Sequence, residues 1–322
     1  RNNFDKTYNS EQSQVVWTEL VADLETPVSA MIKLSKNQSY SFLLESVEGG
    51  DVRGRYSVLG IEPDLIWRCF GDNCEIGRIT KNNKYKYKKS SQGSLDSLAS
   101  LIKNSEIDLP NEVPPSAVGL FGYMGYDMVR LMENIPDKNP DVIGIPDSIF
   151  IRPKVTAVFD NVTDKMTVVT PVWYSEECNS EDAYSDAKNR LENIVNKLKD
   201  SITGQLFKSE FLPDQISPTS NTSQEEYCSM VKKAKEYIRA GEIFQVVPSQ
   251  RFTVPLNSSP MSLYRSLRRL NPSPFLFIVN MDDFSLVGSS PEILVRLRDN
   301  KITVRPIAGT RPRGINIKQD IF

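Results

Sequence analysis

Residues Ser39–Ser46 and Arg55–Gly60 set apolar side chains at alternate positions, and Gly49, Gly50 and Asp51 between them suit a turn, so the pattern predicts a β-hairpin. The polar stretch Asn82–Gly93, rich in Lys and Ser, predicts an exposed strand pair with its loop. Ser94–Lys103 then switches to helical spacing. Glycines among aromatics in Gly119–Arg130 predict a bent strand or turn. Val155–Val172 has the pattern of a hairpin turning at Asp160-Asn161, and Glu181–Lys199 repeats Leu, Ile and Val at helical intervals.

The run Ser201–Asn221 collects Ser, Pro, Gly and Thr and predicts a linker between a region 15–200 and a second region 222–322. Beyond it, Ser223 and Glu226 form a capping box: the serine oxygen accepts from the Glu226 N–H while the glutamate reaches back to the N-cap. Tyr227, Met230, Val231, Ala234 and Ile238 continue one apolar face, and Gly241 suits a left-handed helix end. Ile243–Val254 predicts a strand that Pro248 confines to an edge or a bulge. A helix over Met261–Arg268, a strand over Phe275–Val279 and a hairpin of Glu292–Arg298 with Lys301–Arg305 complete the order. The whole is α+β, with largely antiparallel sheets packed against helices.

Composition narrows the chemistry. Lys plus Arg number 39 against 41 Asp plus Glu, a net charge of −2 over 322 residues, so no basic excess points to nucleic acid or an anionic membrane. No apolar run is long enough for a membrane span, and the expected setting is the cytoplasm. Cys69, Cys74, Cys178 and Cys228 have neither a disulfide framework's density nor a zinc site's spacing, so they are expected to be reduced and structural. The chain has no histidine, which removes Ser-His-Asp and Cys-His catalysis from within it.

The densest candidate chemistry is Arg305–Gly314, where Arg305, Arg311 and Arg313 offer forked donors and Gly309 and Gly314 permit close backbone approach. On those residues alone, an anion clamp and a solvated basic turn both remain open.

Taken together with Leu43–Ser46, Gly241–Ser249 and Asn271–Phe277, that segment resembles component I of anthranilate synthase, a chorismate-using enzyme of tryptophan biosynthesis. Gly119–Arg130 and Gly288–Leu294 match the same family pattern, so the resemblance runs from about residue 15 to 314. It implies the fold of chorismate-utilising enzymes and a reaction in which chorismate, held with Mg2+, takes up ammonia and loses pyruvate. Gly309 and Thr310 are then the expected chorismate contacts, and Gln245 lies on the side from which ammonia attacks.

Isochorismate and salicylate synthases carry a lysine base where Gln245 stands, and glutamine takes no proton at neutral pH. Aminodeoxychorismate synthases, the nearest alternative, use a lysine nucleophile where this chain has Ala308. The resemblance further implies an L-tryptophan feedback site at Glu45, Ser46, Pro274, Phe275 and Leu276, and a glutamine amidotransferase subunit as ammonia source. Family members continue past the Pro-Arg-Gly at 312–314. The expectation is therefore a catalytic region whose C-terminal part is missing, with the Mg2+ ligands beyond Phe322, apolar strands left uncovered and an inactive isolated chain. A non-catalytic tryptophan-binding or interaction module is the alternative.

Overall fold

The structure, a computed structural model, describes residues 1–36, 38–48, 52–80, 82, 84–202, 217–306 and 314–320. Two compact units emerge: residues 1–203 with 263–322, and residues 204–262. The expected boundary was a single linker at 201–221, with 222–322 as one region. The division at 262–263 was not expected, because Phe275–Asn280 adds to the N-terminal sheet and so returns to the first unit.

In chain order the elements are α1 (Asn2–Asn9), β1 (Gln14–Val21), α2 (Pro27–Leu34), β2 (Ser41–Glu45), β3 (Val47–Glu48), β4 (Val52–Arg53), β5 (Tyr56–Phe70), β6 (Asn73–Ile79), β7 (Tyr85–Lys89), α3 (Ser94–Lys103), β8 (Phe121–Met124), β9 (Ser148–Asp160), β10 (Lys165–Val172), α4 (Ser180–Leu198), β11 (Thr219–Ser220), α5 (Gln224–Ala240), β12 (Phe252–Thr253), α6 (Pro260–Leu270), β13 (Phe275–Asn280), β14 (Ser285–Ser290), β15 (Ile293–Arg298), β16 (Lys301–Arg305) and α7 (Ile317–Asp320).

The first unit is built on an antiparallel sheet ordered β1-β10-β9-β5-β2-β13-β14, with β6 and β7 continuing from β5 and β8 from β9. Its spine is β5 against β9, paired from Tyr56↔Asp160 to Cys69↔Ser148. The strand expected over Arg55–Gly60 is thus only the start of β5. Pro63 resembles a stop signal in sequence, but it faces Pro153 at a register shift, where neither ring is asked for a ladder N–H. Trp67 is fully buried in β5 and donates from Nε1 to Ser97 Oγ of α3 at 3.1 Å, fastening that helix to the sheet.

The segment expected to bend, Gly119–Arg130, supplies β8 and then a 3₁₀ turn over Tyr126–Leu131. The β15–β16 turn places Asp299 and Asn300 at φ 50° and 57°, the left-handed geometry this residue pair tolerates. Leu294, Leu297, Ile302 and Val304 of that hairpin are exposed.

The smaller unit contains α5, whose capping box forms as expected, with Gly241 at φ 79° closing the helix. The strand expected over Ile243–Val254 is realised only at Phe252–Thr253, paired with Thr219–Ser220. Residues 243–251 have no ladder partner among the described residues, and Pro248 removes a donor within them.

Burial holds several phenols neutral: Tyr40 and Tyr85 are raised well above their ordinary value, and Tyr123 is pushed up to about 12. The folded state therefore keeps protons that the unfolded chain releases near pH 10, so stability is intact below that pH and falls above it. Melts followed by circular dichroism are expected to lose midpoint progressively above about pH 10. A flat profile there would contradict this reading.

Candidate functional site

The site is assembled where β2 and β13 run antiparallel, with Glu45 opposite Leu276 and Leu44 opposite Phe277. This register brings the expected residues of both segments together. It also divides them, because successive residues of a strand face opposite sides of the sheet. Glu45 and Leu276 share one face and are buried, at 6% and 1% exposure. Ser46 and Phe275 fall on the other face, where Ser46 is half-buried and Phe275 is 39% exposed. Pro274 is half-buried beside them. Strand alternation thus sorts the five expected residues: Glu45 and Leu276 point to the buried face, and Ser46 and Phe275 lie at the end of the other.

A buried carboxylate needs partners, and α6 provides them from one face, because Tyr264 and Arg268 stand one turn apart. Tyr264 donates from its hydroxyl to Glu45 Oε2 at 2.5 Å. Arg268 donates from Nε to Oε2 at 2.8 Å and from Nη2 to Oε1 at 3.0 Å, a bidentate ion pair. Burial, reinforced by the Glu45 charge, raises the Tyr264 pKa far above its usual value and keeps the phenol a donor. A carboxylate has about four acceptor directions, so three donors leave little of the Glu45 charge free. Neither Tyr264 nor Arg268 was expected from sequence; their i, i+4 spacing on a predicted helix was the available signal.

The turn before β13 is fixed from β14. Ser289 Oγ lies 2.7 Å from the Asn271 carbonyl and 2.9 Å from Ser273 Oγ, and Ser273 donates to the Phe275 carbonyl at 3.2 Å. On the β2 side, the Gly54 N–H donates to the Ser46 carbonyl at 2.7 Å. A Cβ on Gly54 would lie 2.4 Å from Ser46 Cβ and 2.5 Å from its Oγ, so only glycine allows Ser46 its position.

Of the expected chorismate residues, Gln245 is exposed in the irregular segment after α5. Gly309 and Thr310 lie outside the described residues, as do Ala308, Arg311 and Arg313. Among the described residues no group of three or more His, Cys, Asp or Glu side chains is arranged to hold a metal ion. No helix among them is long and apolar enough to cross a membrane.

A mixed helix and antiparallel-sheet framework carrying these motifs defines a class, and the model of the chorismate binding enzyme family matches residues 62–321. The chain belongs to that family. Within it, the chain is 47% identical over 318 residues to anthranilate synthase component 1 of Cereibacter sphaeroides, covering 98% of this chain and 63% of that protein. The Aquifex aeolicus component 1 is 39% identical, covering 97% of this chain and 62% of that protein. The chain thus spans somewhat less than two thirds of the length of these relatives.

The crystal structure of anthranilate synthase component I from Streptococcus pneumoniae superposes with a TM-score of 0.61 at 26% identity, over 78% of this chain and 53% of that one. The menaquinone-specific isochorismate synthase of Escherichia coli shares the fold, with a TM-score of 0.53 at 16% identity over 97% of this chain and 58% of that one.

Proposed function

We propose that the chain belongs to the chorismate-using subunit of an anthranilate synthase, which converts chorismate and ammonia to anthranilate, pyruvate and water under feedback control by L-tryptophan. The observation that carries the reading is the β2–β13 register, which brings Glu45–Ser46 to Pro274–Leu276 within a chain 47% identical to a component 1.

Chorismate is a dianion. The Gly309 backbone and Thr310 hydroxyl would bind one end of it by hydrogen bonds, while Mg2+, held by residues outside those described, would supply countercharge. Gln245 offers an amide that takes no proton, so it disfavours activation of water, and Ala308 offers no nucleophile. Ammonia remains as the attacking group. The chain has no histidine, so the histidine of a Cys-His-Glu glutaminase comes from outside it, in keeping with a glutamine amidotransferase partner.

For the regulator, the Ser46 hydroxyl would hydrogen-bond the amino-acid end of tryptophan, and Pro274 and Phe275 would meet the indole. Glu45, buried on the opposite face and paired with Arg268 and Tyr264, would support this strand crossing from behind. The Gly54→Ala variant is expected to weaken tryptophan binding about tenfold, on the order of 1.4 kcal/mol, by displacing Ser46. Titration calorimetry of the variant checks this; unchanged affinity would remove Ser46 from the contact.

The reaction is tested by joining this chain to the remaining segment of the Cereibacter sphaeroides relative and incubating the product with chorismate, Mg2+ and an ammonium salt. Anthranilate fluorescence is expected. Isochorismate or aminodeoxychorismate as the main product would overturn the assignment.

A further inference from the structure

Cys69 is the last residue but one of β5 and Cys74 the second of β6, on either side of the Gly71-Asp72 turn, and the two are direct cross-strand partners. The Cys69 carbonyl accepts from the Asp147 N–H at 2.9 Å, and the Cys74 carbonyl accepts from the Ser90 N–H at 2.9 Å. Both carbonyls therefore point away from the β5–β6 seam, which makes this a non-hydrogen-bonded pair. In such pairs the Cα atoms lie about 4.5 Å apart and the side chains approach most closely, within the range a disulfide spans. Both cysteines are free thiols packed in one apolar cluster with Trp67, Leu98 and Met128.

Their access differs. Cys74 lines a surface cleft of about 400 Å³ walled by Phe70, Asp72, Asn73, Gln92 and Gly93. Cys69 lies behind it, fully buried, with its Sγ donating to Met128 Sδ at 3.4 Å. Burial pushes the Cys69 thiol up to about 11, so at neutral pH it stays protonated and is not the sulfur that meets peroxide first.

We propose that Cys69 and Cys74 form a built-in oxidisable dithiol that closes to a cross-strand disulfide when a small peroxide enters the cleft over Cys74. The Cys74 sulfur attacks one peroxide oxygen; the O–O bond breaks, and the departing hydroxide takes up the thiol proton as water, leaving a sulfenic acid. The Cys69 sulfur then attacks the Cys74 sulfur and passes its proton to the hydroxyl leaving from it. The S–S bond forms, the S–O bond breaks and a second water departs. Two thiols lose two electrons and one peroxide gains them.

Closure takes the Cys69 donor from Met128 in the 3₁₀ turn over Tyr126–Leu131. It also pins a turn that already caps α3, since Asp72 Oδ1 accepts from the Ser94 N–H at 2.7 Å. This inference does not depend on the proposed reaction.

The test exposes the folded chain to dilute hydrogen peroxide, alkylates it with iodoacetamide after unfolding, and analyses tryptic peptides by mass. Both cysteines fall in the single peptide 69–78. The expected result is that peptide lighter by two hydrogen atoms and protected from alkylation about tenfold, with protection reversed by dithiothreitol, while Cys178 and Cys228 still alkylate. In Cys69→Ser, the Cys74 sulfenic acid should persist and be trapped by dimedone. Unchanged thiols in the native chain after peroxide, or oxidised Cys74 beside a free Cys69, would overturn the proposal.

Discussion

Replacing Arg268 with alanine is expected to destabilise the first unit by about 3–5 kcal/mol, because it leaves the buried Glu45 carboxylate without its countercharge. The wild-type pair is bidentate, at 2.8 and 3.0 Å, and Glu45 is only 6% exposed, so water cannot readily take the place of the guanidinium. Tyr264 would remain as a single neutral donor. The double variant Glu45→Leu with Arg268→Leu should recover much of the loss, since an apolar pair removes the orphaned charge rather than creating it. Equilibrium urea unfolding separates the cases by their midpoints. A single variant as stable as wild type would mean that α6 does not hold β2 as described.

The second large effect is expected at Gly122 in β8. A Cβ there would lie 1.9 Å from the Ile149 carbonyl oxygen, which is backbone of β9 and cannot swing aside as a side chain would. Gly122→Ala must therefore push β8 off β9, where Gly122 pairs with Phe150. The cost is expected at the upper end of the ~1–3 kcal/mol typical of overpacking. At about 2–4 °C per kcal/mol for a unit of this size, the melting midpoint should fall by on the order of 10 °C. Scanning calorimetry checks it; a shift below about 2 °C would show that the ladder relaxes freely.

These two sites show unequal legibility in sequence. Local signals worked where one residue's chemistry decides the backbone: Ser223 with Glu226 starts α5, Asp299-Asn300 turns the last hairpin, and Ser94–Lys103 is a helix over its full predicted length. They failed where a distant partner decides. The strand expected over Arg55–Gly60 runs on to Phe70 through Pro63, which Pro153 opposite tolerates, and Ile243–Val254 has a strand's composition but gains a ladder only at its end.

The residues of the proposed tryptophan site were legible as a set but not as a geometry. Family similarity grouped Glu45, Ser46, Pro274, Phe275 and Leu276, whereas strand alternation sorts them onto two faces, which only the β2–β13 register reveals. Tyr264 and Arg268 went unnoticed because a tyrosine and an arginine on a predicted amphipathic helix are ordinary until a buried carboxylate is placed against them.

The most direct test of the account is titration calorimetry of the folded chain with L-tryptophan, alongside Ser46→Ala checked for an unchanged melting midpoint. Saturable heat from the native chain that Ser46→Ala abolishes is the predicted result. A native chain that melts cooperatively yet gives no heat with tryptophan, or a Ser46→Ala variant that binds as tightly as wild type, would contradict the assignment of this strand crossing as the regulatory site.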